Sequence, residues 1–162
     1  MIVRTAKETD LLPILNIYNE GIEDRIATLE EDIKDFVYIK EWFFNRDKKY
    51  EVIVAEIENK IVGWASLNPY SHRCAYAGVT DISVYIQREN RGKGIGKSLL
   101  KELENRARQA NFHKLVLFTF PFNKAGQGLY NSVGFREVGI FHEQGKLDDK
   151  YVDVMAMEKT LK

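Results

Sequence analysis

The chain has 162 residues, and 24 Lys plus Arg balance 24 Asp plus Glu, so the formal net charge is zero. This length suits one domain around one core, and zero net charge provides no general pull onto nucleic acid or an anionic membrane. A single cysteine, Cys74, excludes an internal disulfide, and no apolar run approaches the ~20 residues that span a bilayer. Met1-Ile2-Val3-Arg4 lacks the charged-then-apolar profile of a signal peptide. A soluble cytoplasmic protein is the expectation.

In chain order, residues 2–5 read as a short strand. Thr9 is a candidate cap for a helix that tolerates Pro13 in its first turn. Leu11, Ile14, Leu15 and Tyr18 recur along it at helical spacing, and Gly21 is placed to end it. A second helix is predicted over residues 32–45, with Ile33, Phe36, Val37, Ile39 and Phe43 among its apolar positions. The period then changes to two. Strands over 52–57 and 61–67, joined by Glu58-Asn59-Lys60, predict a hairpin. Residues 68–73 read as a loop and 80–86 as a central strand. A helix over 97–110 continues the apolar stripe of Ile95, Leu99, Leu103 and Ala107. A strand over 114–120, a helix over 123–132 and strands over 135–141 and 152–160 complete a mixed α/β domain covering residues 1–162. There is no linker, repeat or low-complexity tract.

The most informative stretch is Arg91-Gly92-Lys93-Gly94-Ile95-Gly96, between the central strand and the next helix. Strand, glycine-rich turn and helix offer bare backbone N–H groups to phosphate oxygens. Two familiar phosphate loops fail here. A Walker A loop ending at Gly96-Lys97-Ser98 requires glycine where Arg91 stands. The dinucleotide fingerprint fits Gly92 and Gly94 but then meets Lys97 in place of its last glycine.

A third pattern fits without gaps. Arg91-x-x-Gly94-x-Gly96, followed by Asn123-x-Ala125, Leu129-Tyr130 and Gly134-Phe135, resembles the two coenzyme A motifs of the GCN5-related N-acetyltransferases, the GNAT superfamily. Within that superfamily, Thr80-Asp81-Ile82-Ser83-Val84-Tyr85-Ile86 is similar to a segment of the phosphinothricin and methionine sulfoximine acetyltransferases. So are Gly63-Trp64-Ala65, Asn68-Pro69-Tyr70, Arg73, Ala75-Tyr76, Gly145-Lys146-Leu147 and the ending around Tyr151-Val152-Asp153-Val154. The resemblance implies a GNAT fold: a mixed central sheet of about six to seven strands, a splayed central pair and flanking helices. It implies acetyl-CoA as co-substrate, a small-molecule amine as acceptor and a homodimer.

What the resemblance implies about residues can be set beside their chemistry. Alternation along the central strand puts Asp81, Ser83 and Tyr85 on one face and Ile82, Val84 and Ile86 on the other. By resemblance, backbone groups of Val84, Tyr85 and Ile86 bind the pantetheine arm as a mock strand. The turn from Arg91 through Gly92, Lys93, Gly94, Ile95 and Gly96 to Lys97 binds the pyrophosphate, with Arg91 and Lys93 adding positive charge. Asn123 heads its helix, as a cap and as a coenzyme contact. Tyr130 takes the position of the acid that protonates the departing thiolate; packing in the core is the competing reading. Asp81 is a candidate base, directly or through water, or a substrate orienter. Many members of the resembled family carry Glu there, one methylene longer. A bidentate arginine is the natural partner of an amino-acid carboxylate, and Arg73 is the leading candidate. Tyr76, Lys146 and Tyr151 are further candidates for the pocket. His72, His113 and His142 have no ligand-like spacing, so no metal is expected. Open alternatives are a polyamine, aminoglycoside or protein N-terminus as acceptor, or a non-catalytic coenzyme A-binding module.

Overall fold

The computed structural model describes residues 1–161. Seven strands form one sheet: β1 (Ile2–Thr5), β2 (Val52–Ile57), β3 (Lys60–Pro69), β4 (Val79–Ile86), β5 (Lys114–Thr119), β6 (Arg136–Leu147) and β7 (Lys150–Thr160). Four helices flank it: α1 (Leu11–Asp24), α2 (Phe36–Phe44), α3 (Ile95–Gln109) and α4 (Lys124–Ser132). The strand order is β1-β2-β3-β4-β5-β7-β6, antiparallel throughout except for the central pair β4–β5. This is the architecture the sequence implied.

The central pair positions the site. β4 and β5 pair only at Val79↔Lys114, Thr80↔Leu115 and Asp81↔Val116. Beyond that point β4 continues to Ile86 against β3 alone, and β5 continues to Thr119 against β7 alone. The strands therefore splay at Asp81, and the backbone groups that β4 aims at β5 lack their ladder partners.

The apolar alternation sorts two cores onto the two faces. Ile82 packs with Leu99, Leu103, Leu115 and Met157 beneath α3, with Val84 and Ile86 against the same cluster. Tyr85 packs with Trp64, Leu11, Ile14 and Ile39 beneath α1 and α2. The ring of Tyr85 stacks on Trp64 with centroids 5.0 Å apart and meets Tyr18 edge-on at 5.1 Å.

Several local expectations need correction. Asp10, rather than Thr9, organises the start of α1. Its Oδ2 accepts from the Lys7 N–H at 2.7 Å, and its two oxygens accept from both Arg4 Nη groups at 2.8 and 3.0 Å. Burial pushes the Asp10 carboxyl up, but the Arg4 hydrogen bond and the Lys7 N–H outweigh it and hold the group below the usual range. Gly21 lies inside α1, which ends at Arg25 in the left-handed conformation (φ 58°). A Cβ on Gly21 would sit 2.8 Å from the Tyr85 ring, so this glycine makes room for the strand aromatic. The second helix starts at Phe36 instead of residue 32, with the Asp35 carboxylate accepting from the Tyr38 N–H at 2.9 Å. α3 begins at Ile95 rather than Lys97, and Asn68 and Pro69 continue β3 rather than opening a loop.

The terminal strands are longer than expected and form a hairpin. Its two turn residues, Asp148 and Asp149, have φ of 50° and 64°, the geometry of a type I′ connection. The turn at Glu58-Asn59 is of the same kind (φ 50° and 65°) and joins β2 to β3 as predicted.

Candidate active site

The glycine turn divides its labour. Gly92 and Gly94 have φ of 77° and 84°, a left-handed backbone that suits glycine, and Gly94 is the N-cap of α3. A Cβ on either would meet nothing within 4 Å, so they shape the turn and leave its approach open. Gly96 acts differently. A Cβ there would lie 2.8 Å from Leu129 Cδ2, so this position sets the close approach of α3 to α4. Around the turn lies an elongated groove of about 280 Å³. β4 (Val84, Tyr85, Ile86) forms one wall, and the turn with the first residues of α3 (Arg91, Gly92, Gly94, Ile95, Gly96, Lys97) forms the end. α4 closes it with Asn123, Gly126, Leu129 and Tyr130. These are the predicted coenzyme residues except Lys93, which is exposed and outside the lining, its Nζ donating to Asn90 Oδ1 at 3.4 Å.

Arg91 lines the groove, but its charge is committed elsewhere. Its Nη1 donates to Asp24 Oδ2 at 2.6 Å, and its Nε donates to the Ile86 carbonyl at 3.2 Å. Arg88 shares the same carboxylate at 2.8 Å. The hydrogen bond from Arg88, with that from Arg91, holds the Asp24 carboxyl below its usual range despite partial burial. Arg91 thus ties the turn to the end of α1. The positive field at the groove end comes from the α3 N-terminus and Lys97.

Asn123 caps α4 as expected and lines the groove. Its Oδ1 accepts from the Gly126 N–H at 3.1 Å as an N-cap, and its Nδ2 donates to Thr119 Oγ1 at 3.1 Å. Gly126 lies so close that a Cβ would come within 2.5 Å of the Asn123 amide, which accounts for one of the two glycines in this short helix. Nothing within 4 Å accounts for the other, Gly128.

Beside the groove, in the gap between β4 and β5, a smaller cavity is lined by Asp81, Ser83, Tyr85, Phe118, Thr119 and Tyr130. Tyr130 belongs to both spaces. Burial pushes its phenol up to about 12. Asp81 stands at the fork of the strands. Burial pushes its carboxyl up to about 7, against the lowering effect of the Ile82 N–H. A carboxylate that titrates near neutrality is matched to proton transfer at neutral pH.

On its outer side Asp81 opens into a third cavity, with Pro69, Tyr70, Ser71, Tyr76 and Phe118. Tyr76 is therefore beside Asp81, held edge-on by Tyr70 at 6.1 Å. Arg73 is exposed, at the start of the short turn Cys74–Tyr76, and does not line this cavity. Tyr151 is 64% exposed and lines a separate hollow with Phe122 and Asp153, and Lys146 stacks over it at 5.7 Å. Neither reaches Asp81.

Sequence reasoning missed the connection after α1. Ile26 and Ala27 line the groove at the glycine turn, while Thr28 and Glu30 line a further cavity, with Tyr18, Tyr38, Trp42, Trp64, Ser83 and Tyr85. Two of the hydrogen bonds that hold this connection join distant parts of the chain: Asn19 Nδ2 donates to the Lys34 carbonyl at 3.0 Å, and Arg25 Nε donates to Asp148 at 2.9 Å. Neither has a local sequence signature.

Comparison with known proteins bears on the family and the fold. The sequence profile of the Acetyltransferase (GNAT) family matches residues 14–135. The L-methionine sulfoximine/L-methionine sulfone acetyltransferase of Pseudomonas aeruginosa is 30% identical over 98% of this chain and 94% of its own. A ribosomal-protein-alanine N-acetyltransferase structure from Brucella melitensis is 34% identical with a TM-score of 0.96, covering 99% of this chain and 100% of that one. The phosphinothricin acetyltransferase structure from Sinorhizobium meliloti in complex with AcCoA is 28% identical, with a TM-score of 0.92 over 99% of this chain and 88% of that one.

Proposed function

The chain belongs to the acetyltransferase (GNAT) family, and on that premise we propose that it transfers acetyl from acetyl-CoA to the free amine of a small amino-acid-like acceptor such as methionine sulfoximine, methionine sulfone or phosphinothricin. The observation that carries this reading is the sharing of Tyr130 between the groove at the glycine turn and the cavity that holds Asp81 at the fork of β4 and β5.

The groove fits the co-substrate. Two left-handed glycines and a helix N-terminus suit a pyrophosphate, and the unpaired edge of β4 suits an amide-bearing arm. Bound there, acetyl-CoA supplies an activated acetyl thioester. Asp81 takes a proton from the acceptor's ammonium group, so that the amine nitrogen can attack the thioester carbon directly. A backbone N–H of β4 in the splayed segment polarises the carbonyl oxygen. Tyr130 gives its proton to the sulfur as the C–S bond breaks, and the second proton that the nitrogen sheds on becoming an amide returns to the phenolate through water. The burial that pushes the Tyr130 phenol up also disfavours a thiolate, which narrows the gap between the two groups. Tyr76 borders the acceptor, and Arg73, which lies outside that cavity, would have to swing in from the rim to meet its carboxylate.

A homodimer belongs to the same reading, supported by the exposed apolar side chains of Phe118, Val138, Phe141 and Tyr151 on the β5–β7 half of the sheet. The acceptor class is tested by thiol release from acetyl-CoA with a panel of amines. Turnover of methionine sulfone, methionine sulfoximine or phosphinothricin, and none of spermidine, an aminoglycoside or an Ala-initiated peptide, is the expected result. Turnover confined to the peptide would move the acceptor to a protein N-terminus, the class named for the Brucella structure.

A further inference from the structure

A half-buried cation without a carboxylate lies behind the acceptor side of the site. Arg46, just past α2, forms no salt bridge among the described residues, and burial pushes its guanidinium down to about 10. Its Nη1 is buried without a partner. Its Nε donates to the Tyr50 carbonyl at 2.8 Å, and its Nη2 donates to the Leu67 carbonyl at 3.0 Å and to Asn68 Oδ1 at 2.9 Å. Its guanidinium stacks over the Trp42 ring at 4.4 Å. Leaving an arginine in such a place is costly, and a charge held there acts on what faces it.

What faces it is a relay with one allowed polarity. Arginine only donates, so the Asn68 amide must turn its oxygen towards Arg46. The same oxygen accepts from Ser66 Oγ at 2.9 Å. The Asn68 NH₂ is thereby left to donate to Ser83 Oγ at 3.0 Å. Ser83 accepts this bond, and its own proton has no acceptor among the described residues. Ser83 lines both the cavity in the β4–β5 gap and the aromatic cavity beneath α1 and α2. It shares a strand face with Asp81 two residues away, a spacing of about 7 Å. A hydroxyl whose lone pair is taken by a chain that ends in a cation is a strengthened donor. It has a free proton, and that proton is available to the acceptor side of the site.

We propose that Ser83 donates a hydrogen bond to an oxygen of the acceptor substrate, and that Asn68 and Arg46 are positioning residues that orient and polarise its hydroxyl. The inference rests on the acetyltransferase reading above and adds to it a specificity element: an acceptor whose amine lies at Asp81 while a negatively charged or strongly polarised oxygen lies at Ser83. That oxygen can belong to the carboxylate or to a tetrahedral head group such as a sulfone.

The protein's two tryptophans, Trp42 and Trp64, both line the aromatic cavity next to Ser83. Binding can therefore be followed by fluorescence without turnover, with methionine sulfone titrated into the full chain in the presence of coenzyme A. Ser83→Ala is expected to weaken this binding about 10- to 100-fold. Ser83→Thr, which keeps the hydroxyl, restores it, and Asn68→Ala weakens it while coenzyme A binding stays unchanged. Methionine and the methyl ester of methionine sulfone identify the oxygen: the analogue that no longer responds to Ser83→Ala lacks the group that Ser83 binds. Turnover of methionine sulfone by the wild type, with the same dissociation constant and KM in Ser83→Ala, would overturn the role of Ser83 and leave the acetyltransferase reading standing. No binding and no turnover of any amino acid would overturn both.

Discussion

Replacing Asp81 with Asn is expected to lower kcat/KM for the acceptor about 10²- to 10⁴-fold, the usual range for loss of a general base. The expectation follows from position and environment together. Asp81 is the last residue of β4 that pairs with β5, so its carboxylate lies where the strands part. Burial pushes it up to about 7, which keeps it basic enough to take an ammonium proton and ionised enough to act at neutral pH. For the wild type, kcat/KM should fall as pH drops below about 7, where Asp81 becomes protonated, and the Asn variant should lose that limb. Stability shifts in the opposite sense. A carboxyl that ionises at ~3.9 in the unfolded chain but near 7 in the native state penalises folding increasingly as pH rises between those values. Asp81→Asn should therefore melt higher than wild type at pH 8 and near it at pH 4. An unchanged rate with the same pH profile would remove Asp81 from proton transfer.

Tyr130→Phe is expected to lower kcat about 10²-fold while KM for acetyl-CoA changes little. The side chain lines both the coenzyme groove and the β4–β5 gap, and its hydroxyl has no protein hydrogen-bond partner among the described residues. The hydroxyl is thus free to serve the reaction. If the thiol kept its water value of ~8.5, proton transfer from a phenol near 12 would be uphill by about 5 kcal/mol. Burial of the sulfur in the same groove narrows that gap, because it also disfavours the thiolate. Equal falls in kcat and kcat/KM would identify an interaction made only in the transition state. A rise in KM with kcat unchanged would mean that Tyr130 merely lines the groove.

The parts of this site that were legible in the sequence are those with short-range signatures. The glycine turn, the period-two strand carrying Asp81 and the Asn123 cap each depend on neighbours within one element. The strand face of Asp81, Ser83 and Tyr85 followed from alternation alone. What escaped depends on contacts far along the chain. Gly21 resembles a helix terminator but serves the Tyr85 ring, and Gly96, which lines the groove, also makes room for Leu129. Arg91 resembles a phosphate ligand, yet its partner Asp24 lies far back in the chain, at the end of α1. β6 could not be followed past residue 141 because it is an edge strand, exposed along most of its length and interrupted by register shifts, so no apolar alternation marks it. The polarity of the Arg46–Asn68–Ser83 relay requires three elements to meet before it exists at all.

The central claim is that amine and thioester meet in one complex at the fork of β4 and β5, with no acetyl group parked on the protein. Initial rates measured with acetyl-CoA and acceptor varied together test it most directly. Double-reciprocal lines that intersect are predicted, since both substrates must be bound before chemistry. Parallel lines, the mark of a covalent acetyl-enzyme, would contradict it and would direct attention to the exposed thiol of Cys74.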